Sequence, residues 1–234
     1  MTIIEEVRRS VQAKLQDDAH YLGEPEVDDH IQDAVRHLSL DKPLMVVQDL
    51  TGDGTADLKL PDWFEKGFSY LENVESPAGE NPPVNLVRDD DWYTYEDPSK
   101  PPGEQMRLRF RLSVPPTGTK VRITYAAAWT LVETDADTNL DRIARQAVVY
   151  KALVFSFRAM AAKFSQSQDP TIEADAVDYG GRPNQYLFQA ERYETEYRRV
   201  TGLSAPTRAA QAMTDVDIVF AHGEDFVWHP VLTR

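Results

Sequence analysis

The chain has 234 residues, a formal net charge of −14, 41% hydrophobic residues and no cysteine. That length and apolar content support a real core and exclude a wholly disordered chain, while the absent thiols exclude disulfides, thiolate nucleophiles and cysteine-ligated metals and leave a reducing compartment compatible. The acidic excess is spread along the chain and no segment is basic overall, which argues against a protein that grips nucleic acid by neutralising phosphates; simple solubility accounts for it, and it also suits a pore through which DNA slides.

The start, MTIIEEVRRS, carries acids and no long apolar run, so neither signal peptide nor membrane anchor is expected, and the product reads as soluble and cytoplasmic when made. Thr2 followed by Glu5 is a capping box, and Ile4, Val7, Val11 and Leu15 share one face, predicting a short amphipathic helix over residues 3–16. Pro25 suits a first helical turn. Val27, Ile31, Ala34, Val35 and Leu38 then form the apolar face of a second helix up to Ser39, and Pro43 forbids its continuation.

From Leu44 the apolar period changes from about 3.6 to 2, the signature of strands. LMVVQDL and ADLKL flank TGDGT, whose glycines suit a hairpin. Trp63, Phe64 and Phe68 lead into SYLENVES, the loop PAGENPPVN precedes WYTYE, PSKPPG precedes QMRLRFRL, and PPTG turns the chain back into KVRITYAAA. About six strands between residues 44 and 128 predict an antiparallel sheet or small sandwich with its own core. Residues 129–137 return the chain to helix.

Residues 138–165 carry the strongest pattern. Leu140, Ile143, Ala147, Tyr150, Val154, Phe157, Ala161 and Phe164 recur at steps of three and four, and further apolar residues lie off that stripe, so a helix of about 28 residues and roughly 40 Å is expected at the centre of a bundle. Asp137 or Thr138 is placed to cap it, with Asp141 in its first turn and Lys163 near its other end. Arg142, Arg145, Lys151 and Arg158 exclude a membrane span, and the aromatic stripe positions fit a globular bundle better than a coiled-coil seam. After the polar connection DPTIEADAVDYGGRP, Tyr186, Leu187, Ala190, Tyr193, Tyr197 and Val200 predict a last helix ending at Gly202, with Glu194 and Arg198 one turn apart. Residues 203–234 show no helical stripe, only apolar groups at Val216, Ile218, Val219 and Phe220 and at Phe226, Val227 and Trp228.

The candidate chemical sites each have a plainer structural reading. In DLTGDGTAD, Asp49, Thr51, Asp53 and Gly54 occupy calcium-loop positions, but Leu60 stands where the bidentate glutamate belongs and the flanks read as strands, so a turn is expected. His30 and His37, with Asp33 between them, lie about 10 Å apart along their helix, too far for one ion; His222, Glu224, Asp225 and His229 match no zinc spacing. Asp89, Asp90 and Asp91 beside Trp92, Tyr93 and Tyr95 resemble the carboxylates and stacking rings of a sugar site, yet a turn followed by a strand explains the same letters. No serine elbow, phosphate loop or dinucleotide fingerprint occurs, so no enzyme is expected. One patch is less ordinary. Met106, Leu108, Phe110 and Leu112 alternate with Arg107, Arg109 and Arg111, and Lys120 and Arg122 take the matching places on the next strand, which predicts five cations on one sheet face, either balanced by Asp89 to Asp91 or other local acids or facing an acidic neighbour such as another copy of the chain.

The segments VDDHIQDAVRHLSLDKPLMVVQDLTGDGTADLKLP, GFSYLENVESPAG, VRITYAAAWTL, the long alanine-rich helix and DPTIEADAVDYGGRPNQYLFQAERYETEYRRVTG, in that order over roughly residues 17–202, resemble the head-to-tail adaptor (connector) proteins of tailed bacteriophages. The resemblance implies an α+β fold: a helical bundle body (1–43 and 133–202), an inserted antiparallel β domain (44–132) and an extended C-terminal arm (203–234). It also implies a structural virion protein of the neck, assembled in the host cytoplasm as a homo-oligomeric ring, commonly a dodecamer, beneath the portal protein. Such a ring extends the DNA channel, lets genomic DNA pass without specific binding, and docks the next neck or tail protein. In similar proteins the C-terminal segment clasps the portal, which makes Phe220, Phe226 and Trp228 interface candidates. Arg107, Arg109 and Arg111 are candidates for a second contact. No cofactor, metal or membrane is implied. The alternatives are a stopper or tail-completion protein and, from another class, a carbohydrate-binding or carbohydrate-active phage protein using the region around Trp92.

Overall fold

The computed structural model describes residues 2–15, 21–101, 104–134, 137–166 and 182–203. It is a mixed α+β structure whose elements run α1 (Ile3–Leu15), α2 (Glu24–Asp41), β1 (Leu44–Thr51), β2 (Asp57–Lys59), β3 (Leu71–Glu75), β4 (Trp92–Glu96), β5 (Met106–Phe110), β6 (Lys120–Ala127), α3 (Arg142–Gln166) and α4 (Arg182–Thr201). The residues expected at 167–181 and 204–234 lie outside the described part.

The capping box at the start of α1 is present: the Thr2 N–H donates to Glu5 Oε2 at 2.8 Å and the Glu5 N–H to Thr2 Oγ1 at 3.4 Å. Val7, Val11 and Leu15 are buried as their spacing requires. In α2 Pro25 sits in the first turn and Glu26 Oε2 accepts the Gly23 N–H at 3.0 Å. The helix continues past Ser39 to Asp41, where the Lys42 N–H still reaches the Leu38 carbonyl at 2.8 Å. Pro43 then ends it, having no N–H to donate.

The strand segments form where the alternation places them, but apart from β4 with β5 they do not pair as neighbours in sequence. One sheet has the order β1-β6-β3 and the other β2-β5-β4, all pairs antiparallel. The expected hairpin between LMVVQDL and ADLKL is therefore absent; TGDGT carries the chain from one sheet to the other. Its glycines serve a corner. A Cβ on Gly52 would meet the Pro116 carbonyl oxygen at 2.6 Å, and Gly52 instead donates to Thr119 O and accepts from the Gly118 N–H, both at 2.8 Å. Gly54 has φ +80°, a conformation that favours glycine. PPTG likewise crosses between sheets, since β5 pairs with β2 and β4 while β6 pairs with β1 and β3. Leu112, expected to face inward with Leu108 and Phe110, lies beyond the end of β5 and is 79% exposed.

The long helix also starts later than its apolar stripe. Asp141 Oδ1 accepts the Ala144 N–H at 2.6 Å, so Asp141 is the N-cap, and Asp137 and Thr138 are not. The intervening residues are held elsewhere: Asn139 bridges the Thr130 N–H and the Ala128 carbonyl, and Thr138 Oγ1 binds the backbone of Val132. Stripe residue Ile143, in the exposed first turn, is 56% accessible. From Ala144 onward α3 is buried on several faces by α1, α2 and α4. Aromatic stacking ties it to α4, with Phe157 on Tyr193 (5.7 Å between centroids) and Phe164 on Tyr186 (5.2 Å).

Two clusters of buried residues result. One is built from the four helices with Trp129 and Leu131, the other from the strands with Phe64. Trp129 connects to the end of α2: its backbone N–H donates to Ser39 Oγ at 3.0 Å and its indole N–H to the Lys42 carbonyl at 2.7 Å. Among the described residues no helix is long and apolar enough to cross a membrane.

Candidate interaction surfaces

The outer face of the β2-β5-β4 sheet is built by strict alternation. On β5, Leu108 and Phe110 are buried, whereas Arg107 and Arg109 turn the other way. The register sets Arg107 between Lys59 and Tyr95, and Arg109 between Asp57 and Tyr93. Arg109 forms a two-point pair with Asp57, Nε to Oδ1 at 2.7 Å and Nη2 to Oδ2 at 2.8 Å, and its guanidinium lies 5.1 Å from the centre of the Tyr95 ring. The hydrogen bond to Asp57, with a further one to Tyr93, holds the Arg109 proton more firmly than usual. Burial beside the Asp57 charge raises the Tyr95 phenol, which therefore stays neutral. Arg111 stacks over Tyr93 at 4.9 Å, and the two tyrosine rings are 6.1 Å apart. The Arg107 Nε is buried and finds no hydrogen-bond partner among the described residues.

Five cations do not share this face. Lys120 and Arg122 belong to β6 in the other sheet, where Arg122 pairs with Asp49 (2.8 Å) and approaches Glu75 (3.6 Å). That pairing, through its hydrogen bonds, lowers the Asp49 carboxyl. Of the local acids, it is Asp57 that pairs with Arg109, and Asp49 with Glu75 that pair with Arg122, all from neighbouring strands. Sequence spacing could not find them, because the pairing joins strands far apart in the chain. Tyr93 and Tyr95, which complete the face, were visible as alternating strand residues and as candidate stacking rings, but not as partners of the arginines.

The other sequence candidates resolve into structure. Asp49 is engaged by Arg122, and Asp53 caps its own turn by accepting the Thr55 N–H (2.8 Å) and hydroxyl (2.6 Å), so DLTGDGTAD forms no ligand cage. Trp92 is 2% exposed with its indole N–H on the Leu86 carbonyl at 3.2 Å, so it offers no stacking surface to a sugar. Asp91 Oδ2 accepts the Val87 N–H at 2.7 Å within the turn before β4. His30 Nδ1 lies 3.1 Å from Ser156 Oγ and its pKa is lowered by burial, whereas His37 packs on Phe155 at 5.1 Å. No group of three or more potential metal ligands occurs among the described residues. His222, Glu224, Asp225 and His229 lie outside them, as do the interface candidates Phe220, Phe226 and Trp228.

A second polar surface escaped the sequence reading. Lys14 and Ser10 of α1 and Arg142, Arg145 and Gln146 of α3 line a groove, with Glu6 held by Arg145 at 3.1 Å. The two helices that build it are separated by the whole β region.

No curated protein matches the chain. A family model described as SU10 adaptor protein matches residues 2–214, taking in all four helices, both sheets and the first part of the C-terminal segment. The chain belongs to the SU10 adaptor protein family.

Proposed function

We propose that this protein is a structural ring component of the phage neck, seated beneath the portal, extending the DNA channel and docking the next neck or tail protein. The observation that carries the reading is membership of a phage adaptor family over residues 2–214. In this reading the ring is a dodecamer. Residues 1–43 and 133–202 are its helical bundle body, organised around α3, and 44–132 an inserted β domain; the separate buried clusters of helices and strands support that division. Residues 203–234 are an arm that reaches the portal through Phe226 and Trp228. The net charge of −14 suits a lumen that repels DNA and lets it pass. The Tyr93, Tyr95 and Arg111 surface has the residue types that dominate protein contacts and suits an acidic neighbouring subunit.

The test mixes the full chain, or the Phe226→Ala/Trp228→Ala variant, with the purified cognate portal ring and counts copies by mass photometry. Binding in portal-matched stoichiometry by the full chain, weakened about a thousandfold in the variant, is expected from two aromatic anchors at about 2 kcal/mol each. Absence of binding by the full chain moves the protein to another position in the particle.

A further inference from the structure

Among the described residues, strand β1 is an open edge with a half-covered inner face. It pairs only with β6 and lies at the end of its sheet, and none of its residues donates to or accepts from another strand on the outer side among the described residues. Edge strands of this length are ordinarily blunted by charge, proline or a bulge. Here LMVVQDLT carries one charge, Asp49, already paired with Arg122, and no register shift interrupts its eight residues.

The inner face is as telling as the edge. On β6, Val121, Ile123 and Tyr125 are 0–1% exposed. Their direct partners on β1 are Leu50, Gln48 and Val46; Leu50 and Val46 are only partly buried, and Gln48 is exposed. One strand further out, the same core layer is therefore left without its cover. On the opposite face Met45 and Val47 are 44% and 61% exposed.

We propose that residues Val216–Phe220 of the same chain add a strand to the open edge of β1. The run VDIVF is rich in β-branched and aromatic residues and alternates correctly: Val216, Ile218 and Phe220 on one side extend the core layer over Val46 and Leu50, and Asp217 and Val219 fall beside Met45 and Val47. The path is short. The Tyr197 hydroxyl donates to Asp41 Oδ2 at 2.7 Å, so the last turns of α4 lie against the end of α2, just before β1 begins. Leu203 and Leu44 both pack on the helical cluster. Residues 204–215 extend to about 40 Å, more than the roughly 26 Å length of β1, so the segment reaches any register. Tethering at that distance gives an effective concentration in the millimolar range, which favours the chain's own edge over a second copy's. This inference does not depend on the ring or on the portal. It assigns Phe220 to the subunit itself and leaves Phe226 and Trp228 beyond the added strand, free to make an outside contact.

The absence of cysteine makes the test direct. In the purified full chain, without portal, Val47→Cys is combined with Asp217→Cys or with Val219→Cys, so that both adjacent registers are sampled, and the protein is mildly oxidised. A disulfide within the monomer in one of the two variants is the expected result. Cross-linked dimers or ladders would place the strand on a second copy and overturn the assignment, as would the lack of any cross-link. A second measurement needs no cysteine: hydrogen exchange of the β1 amides slows about tenfold where the added strand pairs, and Ile218→Pro removes that protection while Ala209→Pro in the tether leaves it. Equal exchange in wild type and Ile218→Pro refutes the pairing.

Discussion

Lys151 is 7% exposed on the central helix, and its Nζ lies 2.9 Å from Glu194 Oε2 on α4. It also sits 4.7 Å from the Tyr197 ring centre and 5.7 Å from that of Phe155. Replacing it with methionine keeps most of the volume and removes the charge. Glu194, whose side chain is 18% exposed, then retains only Arg198, at 3.4 Å and itself half exposed. Deleting one member of a buried pair costs about 3–5 kcal/mol, and the residual help from Arg198 puts Lys151→Met near the lower end, about 3 kcal/mol. With a urea slope of about 2 kcal/mol per molar, the helical unfolding midpoint followed by circular dichroism falls by roughly 1.5 M. Adding Glu194→Leu removes the stranded carboxylate and restores at least about half of the loss. If the double variant is no more stable than Lys151→Met, or the single shift is under about 0.3 M, the pair is not what holds α3 to α4. The pH dependence follows with a definite sign. Burial alone raises the Glu194 carboxyl, but Lys151 and Arg198 more than reverse this and hold it below its ordinary 4.5. The associated stability is therefore present above pH 4.5 and lost as the pH falls through the lowered value; Glu194→Gln abolishes that component.

Three further outcomes are expected. Asp141→Ala removes the N-cap of α3 and costs about 1 kcal/mol, whereas Thr138→Ala leaves the helix start in place; thermal melts of the two, with amide exchange at Ala144, separate them. His30, with its pKa lowered by burial against Ser156, takes up its proton more readily when unfolded, so stability declines as pH falls below its ordinary 6.5 and stops declining below the lowered value; His30→Gln flattens that part of the urea-midpoint profile, and an unchanged slope would show that His30 is not its source. Arg109→Ala, at a pair whose arginine side chain is 42% exposed, changes folding stability by less than about 1 kcal/mol, so any larger effect on assembly into the proposed ring, read by native mass spectrometry, would belong to the proposed interface.

The helices were legible because a period of 3.6 is a local property. Thr2 and Glu5, Pro25 and the stripe from Ala147 to Phe164 each encode their element within a few residues. The start of α3 was misplaced because Leu140 continues the apolar period, while the side chains of Thr138 and Asn139 are engaged by the backbone of Val132, Thr130 and Ala128. Strand positions were equally legible, but their partners were not. Alternation says which face a residue takes and nothing about which strand lies beside it, so TGDGT and PPTG read as hairpin turns when they are corners between sheets. The arginine face shows the same limit. Arg107 and Arg109 were placed on the correct side of β5, but Lys120 and Arg122 were added from a strand in a different sheet, and Asp57, the true counterion of Arg109, was passed over.

The pairing of β1 with β6 has a mechanical consequence. Leu44 lies opposite Ala127, and the ladder runs from there to Thr51 and Lys120, so the two points where the β region joins the helices are adjacent and at the same end of the ladder. A force drawing those points apart would open the ladder one residue pair at a time, the geometry in which a sheet yields most easily, because each hydrogen bond is loaded in turn and not together. Trp129 stands in front of that weak direction. Its two bonds, to Ser39 and to the Lys42 carbonyl, join the outgoing chain to the incoming one just before the ladder begins, and they would take the load first.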